Sequence, residues 1–255
     1  MTGDSRLLEI FLEVQRGLPR QGPGNDEATL RALGCCRDLP PAPAVLDIGC
    51  GPGRQTLALA GALPGPITAV DVFPEYLDEL TARAAAAGLS DRITASRADM
   101  NDLPFPPASF DLLWSEGAAY IMGVENALRS WKPLLKPGGC LVFSELLWLR
   151  PDPPMEVGAF FKQEYPAMGN VASNAALVEK YGYRLLDHFT LPDRAWWDDY
   201  YGPLEAKLPG LREKYRDDSE ALGLVAMTER EIEMRRRFPE AYGYEFFIAQ
   251  VSALK

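Results

Sequence analysis

Residues 44–56, Ala-Val-Leu-Asp-Ile-Gly-Cys-Gly-Pro-Gly-Arg-Gln-Thr, set the reading of everything around them. A short apolar run carries Asp47, and glycines follow at alternate positions, Gly49, Gly51 and Gly53. Beyond them Leu57, Ala60 and Leu63 recur along one helix face. A buried strand, a tight loop and a helix start come in that order. The loop then lies at the carboxyl end of a strand, where open α/β sheets bind their ligands. Glycine at such a turn opens backbone angles closed to other residues and lets a ligand approach the main chain. Two other loop types fit poorly. A phosphate-cradling loop ends in Gly-Lys followed by Ser or Thr, and no Lys lies nearby. A dinucleotide-binding loop puts its third Gly or Ala where Arg54 stands, and that bulk hinders close helix–strand packing.

The flanking segments extend the pattern. Ile67–Asp71 reads as a second strand, ending in an acid 20 residues after Gly51. A helix over 75–87 follows, with Tyr76, Leu77, Leu80 and Ala84 on one face and Gly88 as its C-cap. A third strand over 92–97 leads into Ala98-Asp99-Met100, and a fourth, Phe110–Ser115, leads into Glu116-Gly-Ala-Ala-Tyr120. The next helix carries Val124, Leu128, Trp131 and Leu135 and stops at Lys136-Pro-Gly-Gly139; a fifth strand, Cys140–Glu145, reaches Trp148 at most. Strand and helix thus alternate over about 105 residues, which predicts a mostly parallel, doubly wound sheet with helices on both faces.

Arg150-Pro-Asp-Pro-Pro154 interrupts the alternation, and a mixed stretch with Phe160, Phe161 and Tyr165 follows. A helix over 173–181, a sixth strand Tyr183–Leu191, a charged helical stretch over 193–238 and a terminal strand Tyr242–Val251 complete the reading. At the N-terminus an amphipathic helix over 4–16 precedes Leu18-Pro-Arg-Gln-Gly-Pro-Gly-Asn25, and Asn25 caps a second helix with Asp26 and Glu27 in its first turn. These helices either cover the edge of the ligand site or simply pack on the sheet. The expected division is a helical cover over 1–41, a ligand-binding core over 42–148, a substrate-side segment over 149–241 and a core-completing strand over 242–255.

The 255 residues fit one elaborated domain, and the net charge of −10 argues against nucleic acid and anionic membranes as partners. No apolar run reaches the roughly 18 residues of a membrane span, and Asp4, Glu9 and Glu13 break the pattern of a secretion signal. Cys35, Cys36, Cys50 and Cys140 read as reduced thiols of a cytoplasmic protein, and their spacing suggests no metal.

The Gly-x-Gly-x-Gly loop behind Asp47, with acids at Asp71 and Asp99 in order, resembles motif I and its sequels in the class I S-adenosylmethionine-dependent methyltransferases. Within that class the chain is similar to bacterial small-molecule enzymes of the ubiquinone- and sterol-methylating kind. The resemblance spans about 42–148 and the last strand. It implies a Rossmann-like sheet of seven strands whose last is antiparallel and inserts between the fifth and sixth. It also implies S-adenosylmethionine as cofactor and a small-molecule methyl acceptor. Position by position, it has Gly49, Cys50, Gly51 and Gly53 form the cofactor loop, with Asp47 fixing the loop and favouring a cationic ligand. It has Asp71 hold the ribose hydroxyls, Val72 or Phe73 meet the adenine, Asp99 accept from the adenine amino group and Met100 pack beside the ring. Ser115 and Glu116 would flank the methionine and its methyl.

Methyl transfer is an in-line displacement, so alignment and exclusion of water matter most, and a base is needed only where the acceptor must lose a proton. Glu116, His188 and Tyr120 are the candidates. His188, the one histidine, faces either the pocket or the core. The chain departs from the family plan in placing 50 residues between Leu191 and Tyr242. Trp196-Trp-Asp-Asp-Tyr-Tyr201 stands out there. Trp196, Tyr200 and Tyr201, with Tyr165, either line a substrate cover or form a minor core or homodimer contact. Two other functions stay open: a nicotinamide-dependent oxidoreductase, which lacks the expected Tyr-x-x-x-Lys pair, and a catalytically silent S-adenosylmethionine sensor or partner subunit.

Overall fold

The computed structural model describes residues 3–252. Two helices, α1 (Gly3–Gln15) and α2 (Asp26–Cys35), precede β1 (Val45–Ile48), α3 (Arg54–Ala62), β2 (Ile67–Asp71), α4 (Pro74–Ala86), β3 (Ile93–Arg97) and β4 (Phe110–Glu116). Then come α5 (Val124–Trp131), β5 (Leu135–Trp148), α6 (Met155–Glu164), α7 (Val171–Lys180) and β6 (Tyr183–Thr190). The insert runs through α8 (Arg194–Trp196), a π-helical turn Trp197–Tyr201, α9 (Gly202–Lys214) and α10 (Ser219–Arg237) before β7 (Tyr242–Val251).

All seven strands form one sheet in the order β3-β2-β1-β4-β5-β7-β6. β7 runs antiparallel to both β5 and β6 and the other pairings are parallel, so the terminal strand is inserted where the resemblance placed it. Every residue of β1 is buried, as a central parallel strand covered on both faces must be. Val45, Leu112, Trp114, Val142, Phe246 and Ile248 belong to one face's core; the alternate residues Leu46, Ile48, Leu113, Leu141, Phe143 and Phe247 belong to the other, with Leu128 and Trp131 of α5 and Val178 of α7.

Three local expectations are corrected. No helix joins β3 to β4: residues 98–109 cross without one, because Pro104, Pro106 and Pro107 deny a helix its amides. The helix before β5 stops at Trp131 because Pro133 follows, and a 3-10 turn over Lys132–Leu134 hands the chain to Leu135, which already pairs with Phe110. The mixed stretch around Phe160 and Phe161 is α6, which buries both rings.

The N-terminal helices meet the insert. Lys207 of α9 donates to the carbonyl oxygens of Glu13, Val14 and Arg16 at 3.1, 2.7 and 2.6 Å, a cation on the unsatisfied end of α1. The side chain of Asn25 caps α2 through the Ala28 amide at 2.8 Å, as its sequence position predicts. Cover and insert are therefore one connected layer, which carries the loop 18–25 to the carboxyl ends of β1 and β4.

Candidate functional site

A cavity of about 280 Å³ opens where the loops after β1, β2, β3 and β4 converge. Gly49, Cys50 and Gly51 come from the first, Asp71, Val72 and Phe73 from the second, Asp99 and Met100 from the third, and Glu116 and Gly117 from the fourth. Tyr120 lines it from beyond β4, and Phe11, Arg20 and Gln21 close it from the cover. The structure thus brings together ten of the residues singled out in the sequence.

The glycine loop owes its shape to steric necessity at two positions. Gly49 sits at φ +71°, and a Cβ there would lie 2.6 Å from the Ala118 Cβ. Gly53 sits at φ +83°, and a Cβ would lie 2.1 Å from Leu80 Cδ1. Gly53 is therefore absent from the cavity wall: its task is to let α4 pack against the start of α3, which Arg54 does not obstruct because its side chain turns outward to Asp26, 2.8 Å away.

Asp71 is the best-formed feature of the wall. Its Oδ2 accepts from the Gly51 amide at 2.9 Å and its Oδ1 from the Phe73 amide at 3.0 Å. The carboxylate joins the tip of β2 to the glycine loop and keeps lone pairs for a ligand. Burial raises its pKa, with those backbone amides opposing the rise. Asp99 also lines the cavity; Oδ1 accepts from the Asn101 amide and side chain, both at 2.8 Å, and these bonds lower its pKa. This turn at Asp99 leaves Oδ2 without a hydrogen bond among the described residues.

Several expected positions do not line the cavity. Asp47 is fully buried beneath the loop, accepts from Thr56 Oγ1 at 2.6 Å and does not reach the cavity wall. Burial raises it to about 7, while the Thr56 bond pulls the other way. Ser115 is buried and donates to the Ile48 carbonyl at 3.0 Å, fastening β4 to β1. Trp196 and Tyr201 are 2% and 1% exposed, and Tyr200 stacks on Tyr201 at 5.0 Å. These three pack with Tyr242 and Tyr244 as an aromatic core, and none lines the cavity. Tyr165 stands one ring behind the wall, 5.8 Å from Tyr120.

The candidate bases change standing as well. Glu116 lines the cavity, but Oε1 accepts from Thr29 Oγ1 at 2.7 Å and Trp114 Nε1 at 2.9 Å, and Oε2 from Arg20 Nη1 at 2.7 Å. Both carboxylate oxygens are thus engaged by donors of the protein, one of them a guanidinium. His188 lies on the edge strand β6, outside the cavity, with Nδ1 2.6 Å from Glu245 Oε1. Tyr120 remains in the wall; burial and then the Glu145 and Glu231 charges raise its pKa, so it is an O–H donor and not a phenolate base.

Sequence reasoning passed over Arg20, Gln21 and Glu145. Arg20 lies in the Gly/Pro loop between the two helices of the expected cover and carries no motif of its own. Gln21 accepts from Tyr76 Oη at 2.9 Å, which makes Tyr76 a wall residue as well as a core one. Glu145 stands at the end of an apolar strand, itself a signal of an unusual acid. It is 1% exposed, accepts from Tyr165 Oη at 3.1 Å, leaves Oε2 without a partner, and is raised by burial to about 8. Asp47 and Glu145 thus hold protons in the fold that the unfolded chain loses near pH 4. Their contribution is greatest at acid pH and is lost as pH rises through the window from about 4 to about 7 for Asp47 and about 8 for Glu145. Glu145→Gln should flatten the fall in stability between pH 5 and 8 by up to about 1.4 kcal/mol per pH unit. Denaturant titrations at several pH values check this, and an unchanged slope would refute it.

A model of the methyltransferase domain matches residues 45–139, the span from β1 to the start of β5. Over 153 residues, 60% of this chain and 63% of the relative, the sequence is 37% identical to an uncharacterized methyltransferase, YodH, of Bacillus subtilis (strain 168). It is 32% identical over 132 residues to 27-O-demethylrifamycin SV methyltransferase of Amycolatopsis mediterranei (strain S699), covering 50% of this chain and 48% of that one. The matched region therefore spans about half to just under two thirds of these relatives' lengths. A solved SAM-dependent methyltransferase from Thiobacillus denitrificans, in complex with S-adenosyl-L-homocysteine, superposes with a TM-score of 0.79 at 19% identity over 96% of this chain and 98% of that one, a likeness of fold. The inserted antiparallel strand and the glycine loop agree with the domain match: residues 45–139 resemble the methyltransferase domain, and the whole chain has the fold of the solved S-adenosylmethionine-dependent methyltransferases.

Proposed function

We propose that this protein transfers the methyl group of S-adenosylmethionine to a small organic acceptor. The observation that carries the reading is Asp71, a carboxylate at the tip of β2 tied to the glycine loop by the Gly51 amide, with its remaining lone pairs toward the cavity. A carboxylate so placed suits two ribose hydroxyls. Val72 and Phe73 offer apolar surface to a base, Asp99 an acceptor for its amino group and Met100 a soft flank. The methionine end then falls beside Gly49, Gly51 and Glu116. Three acids in the wall suit a ligand bearing a sulfonium and an ammonium.

The cofactor supplies an electrophilic methyl group. The chain aligns the acceptor behind it and excludes water, with the cover as one wall, and Tyr120 donates a hydrogen bond to an acceptor oxygen or nitrogen. None of the three candidates is a free base, which favours an acceptor whose nucleophilic atom needs little help in losing a proton. The reading places the protein in the cytoplasm with its four cysteines reduced, and takes neither nucleic acid nor membrane as partner. Among the described residues no helix is long and apolar enough to cross a membrane. Trp196, Tyr200 and Tyr201, which suggested a homodimer contact, are buried within the chain.

Thermal unfolding with S-adenosylmethionine or S-adenosylhomocysteine at about 100 times Kd, and with NAD at the same concentration, tests the cofactor. The first two should raise Tm by about 5 °C and NAD should leave it unchanged. A shift with NAD alone would move the reading to an oxidoreductase. Release of S-adenosylhomocysteine during incubation with a panel of small acceptors separates an enzyme from a silent sensor.

A further inference from the structure

Glu145 does not line the cofactor's cavity, yet it is kept where an acid is costly. It is 1% exposed near the end of β5, and a carboxyl so deep normally has both oxygens matched. Oε1 accepts from Tyr165 Oη at 3.1 Å, Oε2 is without a partner, and no Lys, Arg or His bonds to either among the described residues. The preceding residue fastens this part of β5 to the cavity: Ser144 Oγ accepts from the amide of Gly117, a wall residue, at 2.9 Å. On the next strand, Tyr244 brings its hydroxyl to 3.6 Å from where a Gly117 Cβ would lie. Burial first and then neighbouring charges, Glu145 among them, hold the Tyr120 and Tyr244 hydroxyls in the O–H form. Tyr165 meets Tyr120 edge-on at 5.8 Å, and it also lines a separate groove of about 450 Å³ with Trp148, Phe161 and Lys162. Glu145 therefore sits behind the tyrosines that part the cavity from the groove, and Tyr120 among them is 46% exposed.

A buried acid short of a donor, faced by three tyrosines and no basic side chain, is an environment for a cation. We propose that the methyl acceptor is an amine and that Glu145 receives it, the nitrogen entering between Tyr120, Tyr165 and Tyr244 as Tyr120 turns aside; the inference rests on the methyltransferase reading of the site. One proton is shared between the nitrogen and Oε2. When it resides on Oε2 the nitrogen keeps its lone pair, which forms the bond to the methyl carbon as the electron pair of the S–CH3 bond passes to sulfur. The products are S-adenosylhomocysteine and an N-methylated ammonium, and Glu145 retains the proton it took. A hydroxyl acceptor brings no charge to match the acid, so the site discriminates against it.

Amines and alcohols of matched size separate the two acceptor classes. Benzylamine with benzyl alcohol, and 2-phenylethylamine with 2-phenylethanol, are titrated by calorimetry into the protein saturated with S-adenosylhomocysteine. Each amine should bind about 10- to 100-fold more tightly than its alcohol, the range for a hydrogen bond to a charged group. In Glu145→Gln, which keeps the shape of the side chain, that preference should fall to about twofold or less on the same scale, while the alcohols bind about as well as they do to the wild type. A role confined to holding the fold would weaken amine and alcohol together and leave their ratio intact, and that result would overturn the proposal. Equal binding of amine and alcohol by the wild type, a preference for the alcohol, or uptake of neither at millimolar concentration also overturns it, without any variant. The first titration, S-adenosylhomocysteine into the free protein, keeps the two claims apart. No binding there brings down the methyltransferase reading itself, whereas binding there without a preference for amines brings down this inference alone.

Discussion

Replacing Asp71 with Ala should weaken S-adenosylmethionine binding by about 100-fold or more. Two hydrogen bonds from ribose hydroxyls to a charged acceptor disappear, each worth about 1.5–3 kcal/mol. The Gly51 and Phe73 amides also lose the acceptor that shapes the loop. The fold itself should change little, because Asp71 lies at the end of β2 and its neighbours in the strand remain paired with β1 and β3. Calorimetry of the folded variant checks this. Binding within about threefold of the wild type would remove the central support for the site, since a shift that small lies below the value of one good hydrogen bond.

The second large effect concerns stability and not binding. Trp196→Ala should cost about 3–5 kcal/mol, as deletion of a buried aromatic does. Trp196 is 2% exposed, packs against Tyr201, Tyr242 and Tyr244 at centroid distances of 5.7, 5.8 and 5.4 Å, and lies under the Arg235 guanidinium at 4.1 Å. The ring ties the insert to β7, so its loss should loosen the layer that bears the cover. Well below the variant's Tm, kcat and KM should stay near wild-type values. A stable variant with a raised KM would restore Trp196 as part of a substrate cover.

These expectations bear on how far the residues alone could be read. The alternation of strands and helices followed from short-range patterns, an apolar run before alternate glycines and single acids at strand ends, whereas the strand order was what the resemblance implied. Asp71 and Asp99 were recognisable because each stands at a strand's exit, where the backbone itself delivers the side chain to the ligand. Asp47 and Ser115 lie within their strands and not in the cavity wall. Neighbours in a strand point to opposite faces, so a motif residue next to the site can serve the strand beneath it. Glu116 lines the cavity, and its three donors come from Arg20, Thr29 and Trp114, two of them about 90 residues away in sequence and so invisible to a local reading. Arg20 itself had no local signature. An arginine in a Gly/Pro loop acquires meaning only when the fold sets it against a carboxylate from another strand. The aromatic insert failed for a related reason: a Trp/Tyr cluster looks the same in sequence whether it lines a pocket or fills a core, and burial alone separates the two. His188 was decided by strand position, since β6 is the sheet's far edge and the cavity opens at its middle.

The most direct measurement is a crystal structure of the protein with S-adenosylhomocysteine. The account predicts one molecule per chain, with both ribose hydroxyls within hydrogen-bonding distance of Asp71 and the amino-acid end over Gly49 and Gly51. Density for the nucleoside elsewhere, or an Asp71 carboxylate facing only its own backbone amides with the ligand absent at saturating concentration, would contradict it.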